Sequence, residues 1–176
     1  MGIVSNYLHD VVQVGDEIEI GPPCGEFILN PSKYNGKPVV LLAGGIGVTP
    51  LLAMAQSLCV VHPSASLYFI YSARNSSVIA LESEIKELAV NNPHMHVRIL
   101  FDQPLDKDIT EQKCDAVGVL SNELLQEWVP VNEADFYFCG PQQFMENLIS
   151  IFNQLGIPES RTHYEFFGPK QELISV

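Results

Sequence analysis

Short and long apolar stretches alternate along the second half of the chain. Val39 to Ala43, Leu67 to Ser72 and Val97 to Phe101 are short apolar runs typical of buried strands. The stretches from about Pro50 onwards and from about Val78 to Val90 have the length and apolar spacing of helices. The chain from residue 39 therefore reads as strand, helix, strand, helix, strand.

The same alternation continues to the C-terminal end. Ser121 is a suitable cap for a short helix through Trp128, and Asp135 to Cys139 is a further strand. Gly140-Pro141 opens another helix, which Gly156 ends, and Thr162 to Glu165 forms a last short strand. Strands separated by helices predict a parallel sheet covered on both faces, with ligands at the carboxyl ends of its strands. We therefore predict a five-stranded, Rossmann-like α/β domain.

The first thirty or so residues follow a different pattern. Val11 to Val14, the Gly15-Asp16 turn and the alternating Glu17 to Ile20 are typical of the end of an antiparallel sheet. Pro31 to Pro38 has the proline, glycine, serine and asparagine content of a linker. We place the boundary between two parts at residues 1–34 and 35–176.

The turn after the first buried strand carries the strongest chemical signal. Gly44-Gly45-Ile46-Gly47-Val48-Thr49-Pro50 joins that strand to an apolar helix. Glycines let the backbone approach a pyrophosphate, and the unpaired N–H groups and dipole of the next helix favour an anion. The spacing lacks the third glycine of the usual dinucleotide fingerprint, and Pro50 suits the first turn of a helix. We therefore predict a nucleotide site at this turn, although its glycine spacing differs from the commonest Rossmann fingerprint.

Charge and composition narrow the range of partners. The 176 residues include 9 basic and 21 acidic side chains, a net charge of −12, which argues against binding nucleic acid or an anionic membrane. Residues 39–61 carry no charge, but the glycines and proline within them argue against a membrane span. No secretory signal is recognisable, and no C-x-x-C pair is present, so we expect a cytoplasmic protein with reduced thiols and no metal site.

Several motifs occur in the order found in one enzyme family. They are Gly2 to His9, the Gly15-Asp16 turn, Pro23 to Phe27, Gly44 to Pro50, Phe136 to Pro141, and His163 to Pro169. Each motif is weakly specific alone, but the ordered set spans nearly the whole chain. On these residues the chain resembles the ferredoxin-reductase-like flavin and nicotinamide module, and most closely the reductase part of bacterial flavohaemoglobins.

The resemblance implies electron transfer and names the residues involved. NADH or NADPH docks on the α/β domain and passes hydride to FAD, which sends electrons to a haem or another acceptor. The implied catalytic residues are Cys139, beside the nicotinamide, and Glu165, next to the hydride-transfer region. The implied cofactor-binding residues are Ser5, Asn6, Gly25, Gly44, Gly45, Ile46, Gly47, Val48, Thr49, Pro50, Arg74, Gly140, Pro141, Phe166, Phe167, Gly168 and Pro169.

Plainer interpretations exist for four of these residues. Ser5 or Asn6 is also suited to cap a helix, and Cys139 is also explained as a small buried hydrophobic residue. Glu165 stands between Tyr164 and two phenylalanines, so burial would raise its pKa and suit it to proton transfer; the alternative is a solvated carboxylate.

Arg74 bears on the choice of nucleotide. It follows the second strand, where the adenosine ribose usually lies, and its guanidinium would take the 2′-phosphate of NADPH. Flavohaemoglobins commonly use NADH, so the choice stays open with NADH favoured. His62, His94 and His96 lack metal-ligand spacing and are expected at the surface.

One departure from the family concerns the flavin domain. The family's barrel begins with an Arg-x-Tyr-Ser type segment that the chain does not contain. We therefore expect residues 1–34 to be the C-terminal part of an antiparallel FAD-binding β-barrel, the whole chain to be a fragment, and the haem-bearing globin to lie outside it. Two other functions compete: the reductase of an iron–sulfur oxygenase or another flavin reductase, and a non-catalytic module that senses NAD(P)H.

Overall fold

The computed structural model of the protein describes residues 2–22 and 24–167. The strands are β1 (Val39–Gly44), β2 (Leu67–Ala73), β3 (Met95–Phe101), β4 (Ala116–Val117), β5 (Asp135–Gly140) and β6 (Thr162–Phe166). The helices are α1 (Ile3–Asp10), α2 (Val48–Val61), α3 (Glu82–Asn91), α4 (Asp106–Thr110), α5 (Asn122–Trp128) and α6 (Gln142–Gln154). All strand pairs are parallel, and the order across the sheet is β4-β3-β2-β1-β5-β6.

The central strand β1 is buried along its whole length, as its uncharged sequence predicts. Successive side chains of a strand point to opposite faces of the sheet. Leu41 and Ala43 belong to the core under α2 and α3, whereas Val40 and Leu42 belong to the core under α5 and α6. The prediction of a parallel α/β sheet covered on both faces is confirmed.

The predicted number of strands is wrong by one. The sheet has six strands because β4, which contains only Ala116 and Val117, pairs with Leu100 and Phe101 at the end of β3. Two residues are too short for any periodicity to be read from sequence. The strand lies at the edge of the sheet, away from β1.

The antiparallel strands predicted within residues 1–34 are not confirmed. Residues 3–10 form α1, and the described residues before Val39 contain no strand. None of residues 2–22 is buried, and the large apolar side chains of Ile3, Val14 and Ile20 are exposed. An alternating segment becomes a strand only where a neighbouring strand takes up its backbone hydrogen bonds, and no described segment lies alongside this one. The division at residues 34 and 35 stays a prediction.

Two helix starts show how local chemistry sets the boundaries. α5 begins after Ser121, whose Oγ accepts a hydrogen bond from the Leu124 N–H at 3.3 Å, so the predicted cap is confirmed. α3 begins at Glu82, later than the predicted Val78, because Leu81 takes a left-handed backbone conformation with φ of 57°. That conformation interrupts a right-handed helix.

The apolar stretch that raised the question of a membrane span is divided between β1 and α2. Within residues 2–22 and 24–167, no helix has both the length and the hydropathy to cross a bilayer.

Candidate functional site

The strand order places a crevice at the carboxyl ends of β1 and β5. From β1 the chain adds β2, β3 and β4 on one side and then returns to the other side of β1 with β5. Ligands of open parallel sheets bind where the order reverses in this way. The segment after Gly44 and the segment after Gly140 are therefore neighbours.

The turn after β1 is a single 3-10 turn, Gly45–Gly47, which runs directly into α2. Gly45 has a φ of +50°, and a Cβ built on it would meet no atom within 4 Å, so its Cα faces open space. Ile46 and Thr49 are exposed, and the Thr49 hydroxyl donates to the Ile46 carbonyl at 3.1 Å. Pro50 lies in the first turn of α2, as predicted.

The other glycines of the crevice serve a different purpose. A Cβ on Gly47 would collide with the Cys139 carbonyl and would lie 2.7 Å from the Gly140 N atom. A Cβ on Gly140 would lie 2.9 Å from the Gly44 Cα and 2.6 Å from the Phe144 Cδ1. These glycines allow two stretches of backbone to touch. Of the glycines in the turn after β1, which were all expected to face a pyrophosphate, only Gly45 faces the open side.

Cys139 is the next-to-last residue of β5, lies beneath this turn and is fully buried. Burial, and then the negative charge of Glu165, raise the pKa of the Cys139 thiol to about 11. At neutral pH the side chain is therefore a neutral thiol, which suits it to packing and weak hydrogen bonding rather than to nucleophilic attack.

Glu165 is the register partner of Cys139 on the neighbouring strand β6. Neighbouring strands lie about 4.8 Å apart, and paired residues share a face of the sheet, so the carboxylate and the thiol lie on one side. Of the two interpretations of Glu165, the structure supports the solvated carboxylate, because its side chain is exposed. β6 is the edge strand of the sheet, and no described element covers this part of it.

The aromatic residues after Glu165 divide between core and solvent. Phe166 is half-buried and packs against the core on the α5 and α6 side, whereas 47% of Phe167 is exposed. Gly168 and Pro169 lie outside the described residues.

Arg74 follows β2 directly and is exposed. In the register of β1 and β2, Gly44 pairs with Ser72, so Arg74 lies at the same edge of the sheet as the turn after β1. The loop that carries Arg74 also holds Asn75, whose amide donates to the Gln103 carbonyl at 3.1 Å. The sequence prediction that these residues follow the second strand is confirmed.

The N-terminal candidates are not joined to the crevice by any hydrogen bond among the described residues. Ser5 and Asn6 lie inside α1, whose N-cap is Gly2, so neither caps the helix. Pro141 is exposed after β5, and Gly25 is exposed with a φ of +124°. The sequence pattern singles out neither Phe144, which lies against Gly44 and Gly140, nor Asp108, which accepts a hydrogen bond from the loop after β2. Both lie on helices, where an aromatic residue or an acid in a first turn is commonplace.

The residues at the crevice fit a nicotinamide dinucleotide. The first turn of the 14-residue helix α2 contains no acidic side chain, its N–H groups lack partners within the helix, and Gly45 leaves space above them. Glu165 and Phe167 are both exposed at the carboxyl end of β6, so this side of the crevice is open and presents an aromatic side chain of the kind that packs against a flavin ring.

A family model agrees with this geometry. Residues 41–149 match the family described as "Oxidoreductase NAD-binding domain", and the match runs from β1 into α6. This chain belongs to that family. The match includes the turn after β1, the Arg74 loop, Cys139 and Gly140, whereas Glu165 and Phe166 on β6 lie outside it.

Individual relatives show which members of this broad family the chain is similar to. A flavohemoprotein of Rhodopirellula baltica is 50% identical over 175 residues, which is 99% of this chain and 43% of that protein. The FAD/NAD-binding domain of nitric oxide dioxygenase from Vibrio cholerae superposes with a TM-score of 0.82 and 28% identity, over 96% of this chain and 65% of that one. A flavohemoglobin of Malassezia yamatoensis, solved with FAD and heme, gives 0.66 and 30%, over 81% and 33%.

These comparisons confirm the resemblance to flavohaemoglobin reductases that the ordered motifs indicate. The chain spans less than half the length of the curated flavohemoproteins that it matches.

Proposed function

We propose that this chain binds NADH or NADPH and, together with FAD, forms the reductase part of a flavohaemoglobin that converts nitric oxide. The observation that carries the proposal is the crevice between β1 and β5, where an open glycine turn at a helix N-terminus adjoins a buried, neutral cysteine. The 50% identity with a flavohemoprotein over nearly the whole chain supports the haem acceptor over others.

In this proposal the backbone after β1 holds the pyrophosphate. Gly44 to Thr49 contribute N–H groups, Pro50 adds no N–H but suits the first turn of α2, whose dipole has its positive end here, and Gly140 and Pro141 form the opposite wall. Backbone groups suit a chain whose net charge is −12, because that charge repels a phosphate at long range. Arg74 lies where the adenosine ribose is expected and supplies a cation for a 2′-phosphate.

Cys139 and Glu165 would border the nicotinamide. A neutral thiol beneath the ring adds no charge to a position where the ring gains a positive charge on losing hydride. The exposed Glu165 carboxylate, one strand away, supplies a negative charge on the same face. The role of the two residues is therefore to position the ring and to set the local charge.

When bound, FAD supplies the redox chemistry, accepting hydride and releasing single electrons. Ser5, Asn6, Gly25 and the stretch from Phe166 to Pro169 are the residues proposed to hold it. Glu165 and Phe167 are exposed at the mouth of the crevice, which leaves that side open to a ring.

Two other functions are weighed against this one. The reductase of an iron–sulfur oxygenase shares the same crevice, but the four cysteines of this chain, Cys24, Cys59, Cys114 and Cys139, are not clustered as cluster ligands are. A module that only senses NAD(P)H would need neither the Cys139 and Glu165 pair nor the aromatic residues after it.

The test is a titration of the purified chain with FAD, followed by flavin fluorescence and absorbance, and then with NADH and NADPH without oxygen. Flavin binding with bleaching by one nucleotide supports the proposal and identifies the donor. Nucleotide binding without flavin binding confines the function of this chain to the dinucleotide. Absence of nucleotide binding in calorimetry would refute the proposal.

A further inference from the structure

Asp108 is the only charged or polar side chain that is fully buried among the described residues. It is the third residue of α4, a helix of five residues that follows the loop after β3. A carboxylate is strongly destabilised by burial unless hydrogen bonds replace its water. Its partners therefore show which part of the fold it serves.

Both hydrogen bonds of Asp108 are made to backbone groups of the loops at the carboxyl ends of strands. Its Oδ2 atom accepts from the Ser76 N–H at 3.1 Å and from the Leu105 N–H at 3.0 Å. Ser76 lies in the loop after β2, and Leu105 lies in the loop after β3. A single carboxylate oxygen thus joins two loops that are about thirty residues apart in sequence.

Two further hydrogen bonds connect the same loops. The Gln103 N–H donates to the Arg74 carbonyl at 2.9 Å, and the Asn75 side-chain amide donates to the Gln103 carbonyl at 3.1 Å. These bonds lie at exposed positions, whereas the bonds to Asp108 are shielded from water. Hydrogen bonds to a charged group in such surroundings are the stronger ones.

The electrostatics of Asp108 favour its charged form. Desolvation raises the pKa of the Asp108 carboxyl, but the hydrogen bonds from Ser76 and Leu105 and the charge of Lys113 together lower it below the ordinary value. The Ser76 hydroxyl lowers the pKa of this carboxyl in addition to the Ser76 N–H, so both polar groups of Ser76 act on Asp108.

The loop that Asp108 holds carries Arg74, at the position where the adenosine ribose lies in dinucleotide-binding sheets. We propose that Asp108 is a positioning residue for the adenosine half of the dinucleotide, acting by fixing the backbone of residues 74–77. The proposal rests on the proposed function, since it assumes that a nicotinamide dinucleotide binds. It concerns one half of that ligand and leaves the nicotinamide half untouched.

The experiment compares Asp108→Asn with Asp106→Asn in the whole chain. Both variants make the same chemical change in α4, but Asp106 is exposed. Affinities for NADH, for 5′-AMP and for nicotinamide mononucleotide are measured by calorimetry, or by nuclear magnetic resonance where binding is weak. 5′-AMP carries only the adenosine half of the ligand, and nicotinamide mononucleotide carries only the other half.

Asp108→Asn is expected to weaken the binding of NADH and 5′-AMP by about tenfold, the typical effect of losing hydrogen bonds to a charged group. Its affinity for nicotinamide mononucleotide is expected to stay within about twofold of the wild type, and Asp106→Asn is expected to bind all three ligands as the wild type does. Equal 5′-AMP affinity in the two variants would overturn the inference, as would an equal loss of all three ligands in a folded Asp108→Asn protein.

Two further outcomes are distinguishable. A wild-type chain that binds neither NADH nor 5′-AMP refutes the proposed function itself. If Asp108→Asn does not fold, Asn75→Ala removes the exposed bond to the Gln103 carbonyl without disturbing a buried charge. That variant must then bind 5′-AMP several-fold more weakly and nicotinamide mononucleotide normally, and unchanged 5′-AMP binding overturns the inference.

Discussion

Replacing Gly47 by alanine tests whether the glycines after β1 serve the ligand or the fold. An added Cβ would collide with the Cys139 carbonyl and would lie 2.7 Å from the Gly140 N atom. Both obstacles are backbone atoms at the end of β5, a strand that pairs with the fully buried β1, so neither can turn aside as a side chain would. The change is therefore expected to destabilise the fold and not only to weaken nucleotide binding.

The magnitude follows from two opposing effects. Overpacking of a buried position destabilises by about 1–3 kcal/mol, and a clash with backbone belongs at the upper end of that range. Alanine reduces the freedom of the unfolded chain, and the φ of −60° at Gly47 suits it, which returns about 0.4–1 kcal/mol. The net loss is about 2 kcal/mol, which for a chain of this size lowers Tm by roughly 4–8 °C.

Two glycine variants provide controls for urea and thermal unfolding followed by circular dichroism. Gly45→Ala has open space around the new Cβ but a φ of +50°, so it is expected to lose about 1 kcal/mol. Gly21→Ala has neither a close neighbour nor a left-handed backbone and is expected to stay within about 0.5 kcal/mol of the wild type. If Gly47→Ala unfolds like Gly21→Ala yet loses NADH binding, the glycine serves the ligand and the reasoning from packing is refuted.

Three further predictions concern Cys139, Arg74 and Ser121. The pKa of the Cys139 thiol is raised from 9.0 to about 11, so the unfolded chain loses this proton at lower pH than the folded chain. The free energy of unfolding should therefore fall by about 2–3 kcal/mol between pH 9 and pH 11. Urea unfolding of Cys139→Ala should lack this fall, and parallel pH profiles of the wild type and the variant would contradict the assignment. Arg74→Gln should weaken NADPH binding about tenfold, more at low salt, and leave NADH unchanged; an equal effect on both nucleotides would exclude contact with a 2′-phosphate. Ser121→Ala should lower the free energy of unfolding by about 1 kcal/mol through loss of the α5 cap; Ser83→Ala, whose hydroxyl contacts only a neighbouring exposed side chain, should change it by less than about 0.5 kcal/mol, and equal effects would argue against the cap.

The sequence predicts the α/β unit well because most of its strands are apolar runs of five to seven residues with little or no charge, bounded by turn residues. β1 and β5 are recognisable in this way, and so is the glycine turn that they bring together. The prediction fails where strand formation depends on pairing with a neighbouring strand and not on the composition of the segment itself. Glu17 to Ile20 alternates like a strand but has no described neighbour, and β4 is a strand only because it lies beside the end of β3.

The sequence predicts which residues lie near the crevice but not which of them are in contact or exposed. Sequence places Cys139 and Gly47 at strand ends, but it cannot show that the two are in contact, because that contact depends on the order of the strands. The exposure of Glu165 likewise depends on β6 lying at the edge of the sheet, and its apolar neighbours in sequence point the other way. The sequence does not predict the role of Asp108, because its partners are the backbone N–H groups of Leu105 and of Ser76, and Ser76 lies in a loop far away in sequence.

The pairing of β1 with β5 also determines at which stage of folding the crevice forms. Val39 meets its β2 partner Leu67 after roughly 27 intervening residues, whereas it meets its β5 partner Asp135 only after roughly 95. Closing a longer loop costs more chain entropy, and distant parallel pairings are slow to form. During synthesis the first strands can associate early, but the crevice is completed only when β5 has been made and has docked. A nucleotide held in this crevice would therefore stabilise the chain only after β5 has docked and would not guide the earlier steps of folding.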